Sequence, residues 1–138
     1  MKDRSTQVCQ AQAIPTDGSE DVSAKSMDLQ AAAPGAIGSG ATIRVEIVVT
    51  TALDTASTDT ILVVNAITDS DSELGSHATI GPIGEITITT DAVAAGTRFV
   101  FNFPQKPQVA FERYVGISME PASSDLSAGA IDAWILPN

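Results

Sequence analysis

The sequence predicts an all-β fold, an antiparallel β-sandwich of the jelly-roll type with an extended N-terminal arm. Three observations carry this prediction. Apolar and polar residues alternate along several short runs, the period of a half-buried strand. No segment reads as a long amphipathic helix. Of the 138 residues 43% are hydrophobic but only 4% aromatic, so the core must be built from Val, Ile, Leu and Ala, a composition that leans towards strands. A chain of this length predicts one domain, able to bury roughly two-thirds of its unfolded surface.

Taken in order, residues 1–25 are polar with isolated apolar positions at Val8, Ile14 and Val22, and read as an irregular arm with a short strand near Val22. Pro15, Asp17 and Gly18 form a turn cluster within it. The domain proper is expected over 26–138. Met27 and Leu29 alternate in a first short strand, and the small, glycine-rich run 31–40 reads as a loop. From Thr42 the signal sharpens: Ile43, Val45, Ile47 and Val49 share one face, with Arg44 and Glu46 opposite. After a polar connection over 50–60, residues 61–68 are apolar on both faces, as in a strand inside the sandwich or against another subunit.

A long polar loop, 69–84, precedes the alternating strand Glu85–Thr90. Phe99, Phe101 and Phe103 then place three rings on one strand face, which Pro104 and Pro107 end because proline cannot donate to a ladder. Val115, Ile117 and Met119 resume the alternation. Together these two strands read as the middle of the sandwich core. A last strand runs from Ala130 to Leu136 before Pro137, with Ile131, Ala133 and Ile135 on one face and Asp132 and Trp134 on the other. No repeat of solenoid or propeller period is visible.

Seven Lys and Arg against 17 Asp and Glu leave a net charge of −10. With no basic run, nucleic-acid binding is not expected, since it needs clustered cations. The same charge repels an anionic membrane, and no apolar run approaches a membrane span. Cys9 is the single cysteine and His77 the single histidine, too few for a disulfide or a Cys/His zinc site. The N-terminus lacks the apolar core of a signal peptide, so synthesis in the cytoplasm without an export signal is expected.

Nothing points to an enzyme or a cofactor. Asp69, Asp71 and Glu73 alternate in a Ser-rich loop but lack the glycine, the bidentate Glu and the flanking helices of an EF-hand, so a solvated acidic loop is the plainer reading. His77 has no GxSxG elbow to serve, and Cys9 has no neighbouring histidine to activate it. Gly35, Gly38 and Gly40 have the spacing of neither common phosphate-binding loop. The residues that stand out are Arg98, Arg113 and Tyr114, with Trp134. They either cap strand ends and pair with surface acids or anchor an interface, where Arg, Tyr and Trp are favoured.

The stretches AGTRFVFNFP (95–104), ERYVGISM (112–119) and GAIDAWIL (129–136), with QAI (12–14), MDL (27–29) and ITDSDSEL (67–74), resemble the small decoration, or cement, proteins of tailed-bacteriophage heads. The type meant is the jelly roll that forms trimers on the capsid exterior. The resemblance implies a structural virion protein that binds major capsid protein on the outside of an HK97-fold head and stabilises it. It also implies self-association as a homotrimer, for whose seam Val100, Tyr114, Trp134, Arg98 and Arg113 are the candidates. Val8, Gln12, Ile14 and Val22 of the arm are the candidates for capsid contact, since an extended segment can add to a neighbouring sheet edge. Rival readings are a head-to-tail joining or tail protein, expected in six-fold or twelve-fold rings, and a carbohydrate-binding module, for which Trp134 and Tyr114 are the only Trp and Tyr on offer.

Overall fold

The computed structural model describes residues 6–14, 19–29, 43–55, 59–104, 111–122 and 126–137. Every regular element among them is a strand: β1 (Gln7–Ala13), β2 (Asp21–Val22), β3 (Met27–Asp28), β4 (Ile43–Thr55), β5 (Thr60–Asp69), β6 (Ala78–Ile88), β7 (Arg98–Asn102), β8 (Tyr114–Pro121) and β9 (Leu126–Pro137). The expected turn at Pro15, Asp17 and Gly18, the glycine-rich loop 31–40 and Pro107 lie outside the described residues.

The strands form two antiparallel sheets, sheet A in the order β1-β9-β4-β7 and sheet B in the order β2-β8-β5-β6, with β3 also paired to β8. Asp21 and Val22 oppose Met119 and Ser118, and Met27 and Asp28 oppose Val115 and Tyr114. β2 and β3 are therefore two pieces of one interrupted edge strand. Counted so, the described residues form eight strands, and all but one connection crosses from sheet to sheet. That is the jelly-roll order.

Alternation fills the space between the sheets. Ile43, Val45, Ile47 and Val49 of β4 meet Leu62, Val64 and Ala66 of β5, Val115, Ile117 and Met119 of β8, and Ile131, Ala133 and Ile135 of β9, all at most 2% exposed. β4 runs on through residues 50–55, read from sequence as a connection, because Leu53 is fully buried and exchanges two 2.9 Å backbone hydrogen bonds with Val93.

Two expectations are corrected here. The phenylalanine strand is not central: β7 is an edge of sheet A, pairing only with β4. Phe99 and Phe101 stack with centroids 6.2 Å apart and close the open flank between β7 and β6. A Cβ on Gly84 of β6 would collide with the Phe101 ring, so glycine is needed to seat it. The second correction concerns residues 7–13, expected in an arm. They form β1, which pairs with β9 through two register shifts, with Ala11 at φ 45° within the second. Val8, Cys9 and Ile14 lie within the core, at most 2% exposed.

The acidic loop after β5 also departs from expectation. Asp69 is buried, and its carboxylate accepts N–H groups of Ser76 at 2.8 Å and Asp71 at 3.2 Å. The loop folds back over sheet B and seats Leu74, 1% exposed, above Gly116, where a Cβ would lie 2.5 Å from Leu74 Cδ1. This explains why β5 is apolar on both faces. Ile67, on the outward face, is covered by the chain's own loop.

Candidate functional site

Strand register places the outward residues of sheet A in rows across the strands. Gln7 opposes Trp134, Trp134 opposes Glu46, and Glu46 opposes Val100. The neighbouring rows hold Leu136, Arg44 and Asn102 on one side and Asp132, Val48 and Arg98 on the other. Val100 is the one large hydrophobic side chain that stands exposed among the described residues, at 50%. Trp134 and Val48 are half-buried beside it. The face thus combines an apolar ridge with two arginines, the composition of an interface anchor.

Its charges are arranged unevenly. Glu46 is 1% exposed although it points outward, and Arg98 Nε lies 2.7 Å from its Oε1. Arg98 remains 58% exposed, so the ion pair buries the carboxylate and displays the guanidinium. Asp132 is half-buried and accepts the N–H of Ala11 at 2.6 Å. Arg44 Nε is buried with no hydrogen-bond partner among the described residues. What the face exposes is therefore apolar surface together with the Arg98 guanidinium.

Three of the five sequence-predicted seam residues, Val100, Trp134 and Arg98, come together on this face. Arg113 and Tyr114 do not; they sit in sheet B at the start of β8. Strict alternation points them in opposite directions, but Arg113 precedes the strand, and its guanidinium lies 5.0 Å from the Tyr114 ring centroid. Arg113 also forms a bidentate pair with Asp28 at 3.1 and 3.0 Å, pinning β3 to β8. These two residues serve the fold as a strand-end clasp.

The arm residues fare differently from expectation. Val8 and Ile14 are buried in the chain's own core, so they offer nothing to a capsid. Gln12 is spent within the molecule: its Oε1 accepts from Ala24 N–H at 2.8 Å and its Nε2 donates to Val22 O at 2.8 Å and Asp21 Oδ2 at 3.2 Å. It ties the β1 edge of sheet A to the β2 edge of sheet B. Val22 is half-buried and pairs with Ser118.

Sequence reading left Arg44, Val48 and Leu136 out of the surface. Their facing was legible from alternation, but only the register sets them beside Trp134 and Val100.

The other chemically suggestive residues are absorbed by structure. Burial pushes the Cys9 thiol up to about 12, far from a reactive thiolate. His77 Nδ1 lies 3.0 Å from Leu74 O and its Nε2 2.9 Å from Glu20 Oε1, joining the acidic loop to the segment before β2. A shallow cleft between residues 22–26 and Ser72 and Glu73 brings no nucleophile to a base. Among the described residues, no three His, Cys, Asp or Glu side chains gather as metal ligands.

With that geometry in place, comparison with known families gives one assignment. The Bbp16 family profile matches residues 8–135. The chain belongs to the Bbp16 family. The Bbp16 match runs from β1 into β9 and so takes in both sheets and the arginine-bearing face apart from Gln7 and Leu136. No curated protein matches the chain.

Proposed function

We propose that this chain is a structural virion protein that binds the outside of an HK97-fold phage head as a trimer and stabilises it. The observation that carries the reading is the outward face of sheet A, where Val100, Trp134 and Arg98 form an apolar, cationic surface on a firmly packed jelly roll. Such a surface suits docking. Three of the stretches that resemble head-decoration proteins lie in and around β7, β8 and β9, two of which build this face.

Multivalency supplies the physical logic. A weakly binding protomer gains avidity when a trimer engages several sites at once, without any new contact per copy. A net charge of −10 keeps such a protein dispersed at the high concentrations of head assembly.

Light scattering coupled to gel filtration tests the assembly. The expected mass is three times the 14.2 kDa chain. A monomer at micromolar concentration would remove the avidity argument, and a ring of six or twelve copies would favour a head-to-tail joining protein instead.

A further inference from the structure

We infer that the outward face of sheet A is the surface turned towards the capsid shell, where it meets a carboxylate-bearing, partly apolar patch of a protein other than this chain. The inference rests on the capsid-binding reading above and adds which side of the molecule does the binding.

The first argument is the uneven distribution of charge between the two halves. Around sheet B, Glu20, Asp71, Glu73, Glu85, Glu112 and Glu120 are all exposed, against Lys25 and an Arg113 already paired with Asp28. The strands of sheet A show no exposed carboxylate among the described residues, and in the segment 89–97 that bonds to β4 the exposed one is Asp91. Glu46 is buried against Arg98, while Asp54 and Asp132 are half-buried and accept backbone N–H groups. Burying the sheet B side would desolvate many carboxylates, each costly unless paired. Burying the sheet A side desolvates Val100, Val48 and Trp134 and offers the exposed Arg98 guanidinium to acceptors on the other surface.

The second argument excludes a copy of the chain as the occupant. Two sheet A faces meeting across a two-fold axis would oppose exposed arginines with exposed arginines, and like charges in a desolvated contact are costly. A head-to-tail contact of sheet A on the acidic sheet B of the next copy has complementary charge. However, the two faces lie on opposite sides of the sandwich, so that contact repeats as an open stack, not a closed ring. A different protein whose exposed carboxylates complement Arg98 meets neither objection.

The test is co-sedimentation with expanded heads of the encoding virus, stripped of this protein. Val100 and Asn102 are both exposed on β7, so Val100→Glu with Asn102→Glu adds negative charge to the face while sparing the core. Glu85→Lys on sheet B is the control. The expected result is that the paired substitution weakens binding on the order of tenfold, that Glu85→Lys does not, and that added salt weakens the wild type. Wild-type binding matched by the paired variant would overturn this inference and leave the capsid reading standing. No wild-type binding would overturn both.

A second readout needs no capsid. Trp134 is the only tryptophan, so its fluorescence reports on this face in the free protein. Iodide should quench it more strongly than caesium despite the net negative charge. Stronger quenching by caesium would contradict a cationic face.

Discussion

Asp69 and Cys9 show how burial and hydrogen bonding, not residue type, decide what a side chain can do. The N–H of Ser76 holds the Asp69 carboxyl below its usual range; burial opposes the shift, and the N–H groups of Asp71 and Ser70 add to it. A carboxylate depressed in the folded state contributes stability above its unfolded pKa and loses it as pH falls through the folded value. Asp69→Asn should therefore flatten the acid limb of the stability–pH curve, measured by urea unfolding across that range. An unchanged acid limb would mean that the loop is not held by this carboxylate. Cys9 has the opposite sign. Its thiol is kept neutral by burial, so its contribution is complete below the unfolded thiol pKa and declines as pH rises from there towards about 12. Ellman's reagent at mildly alkaline pH should label it only at the rate at which the native protein opens. Rapid labelling of the folded chain would contradict its place in the core.

At the scale of elements, one device on each flank of the sandwich makes a prediction. Gln12 bridges β1 to the β2 segment with three hydrogen bonds. Gln12→Ala should cost about 1–3 kcal/mol of unfolding free energy, since it removes hydrogen bonds to half-buried Asp21 and Val22 and from the Ala24 N–H. A loss within experimental error would show that the flank closes by packing alone. On the far side, Gly84→Ala forces the Phe101 ring off its seat, an overpacking cost of about 1–3 kcal/mol. In a Phe101→Ala background the same substitution should be nearly neutral. Equal costs in both backgrounds would place the strain elsewhere.

These devices also mark where sequence reading stopped. β4, β7, β8 and β9 were legible because their alternation is unbroken. β1 was hidden because Val8 and Cys9 are adjacent and both buried, which a regular period of two forbids and the register shift on either side of Cys9 permits. Leu74 was hidden because a single apolar residue in a polar loop has no period at all. Glu46 stood on the outward face as alternation requires, but only the register reveals Arg98 lying over it. The candidate surface was half visible for the same reason: Val100, Trp134 and Arg98 were singled out one by one, and Arg113 and Tyr114 were grouped with them until pairing placed those two in the other sheet.

For the whole molecule, the jelly roll separates two kinds of surface. Sheet B carries exposed carboxylates and is covered in part by its own loop, while sheet A presents Trp134, Val100 and the arginines. On the proposed reading, that polarity gives the trimer an adhesive side and a repulsive side, so trimers stay apart in solution and orient on arrival. The stiffness of two packed sheets keeps the row of anchors in register, which makes repeated engagement by several protomers effective. The most direct measurement is electron cryo-microscopy of mature heads from the encoding virus. The account predicts jelly-roll density at three-fold and quasi-three-fold positions on the capsid exterior, with sheet A turned inward to the shell. Heads bare at those positions, with this chain confined to a low-copy ring at the tail vertex, would contradict it.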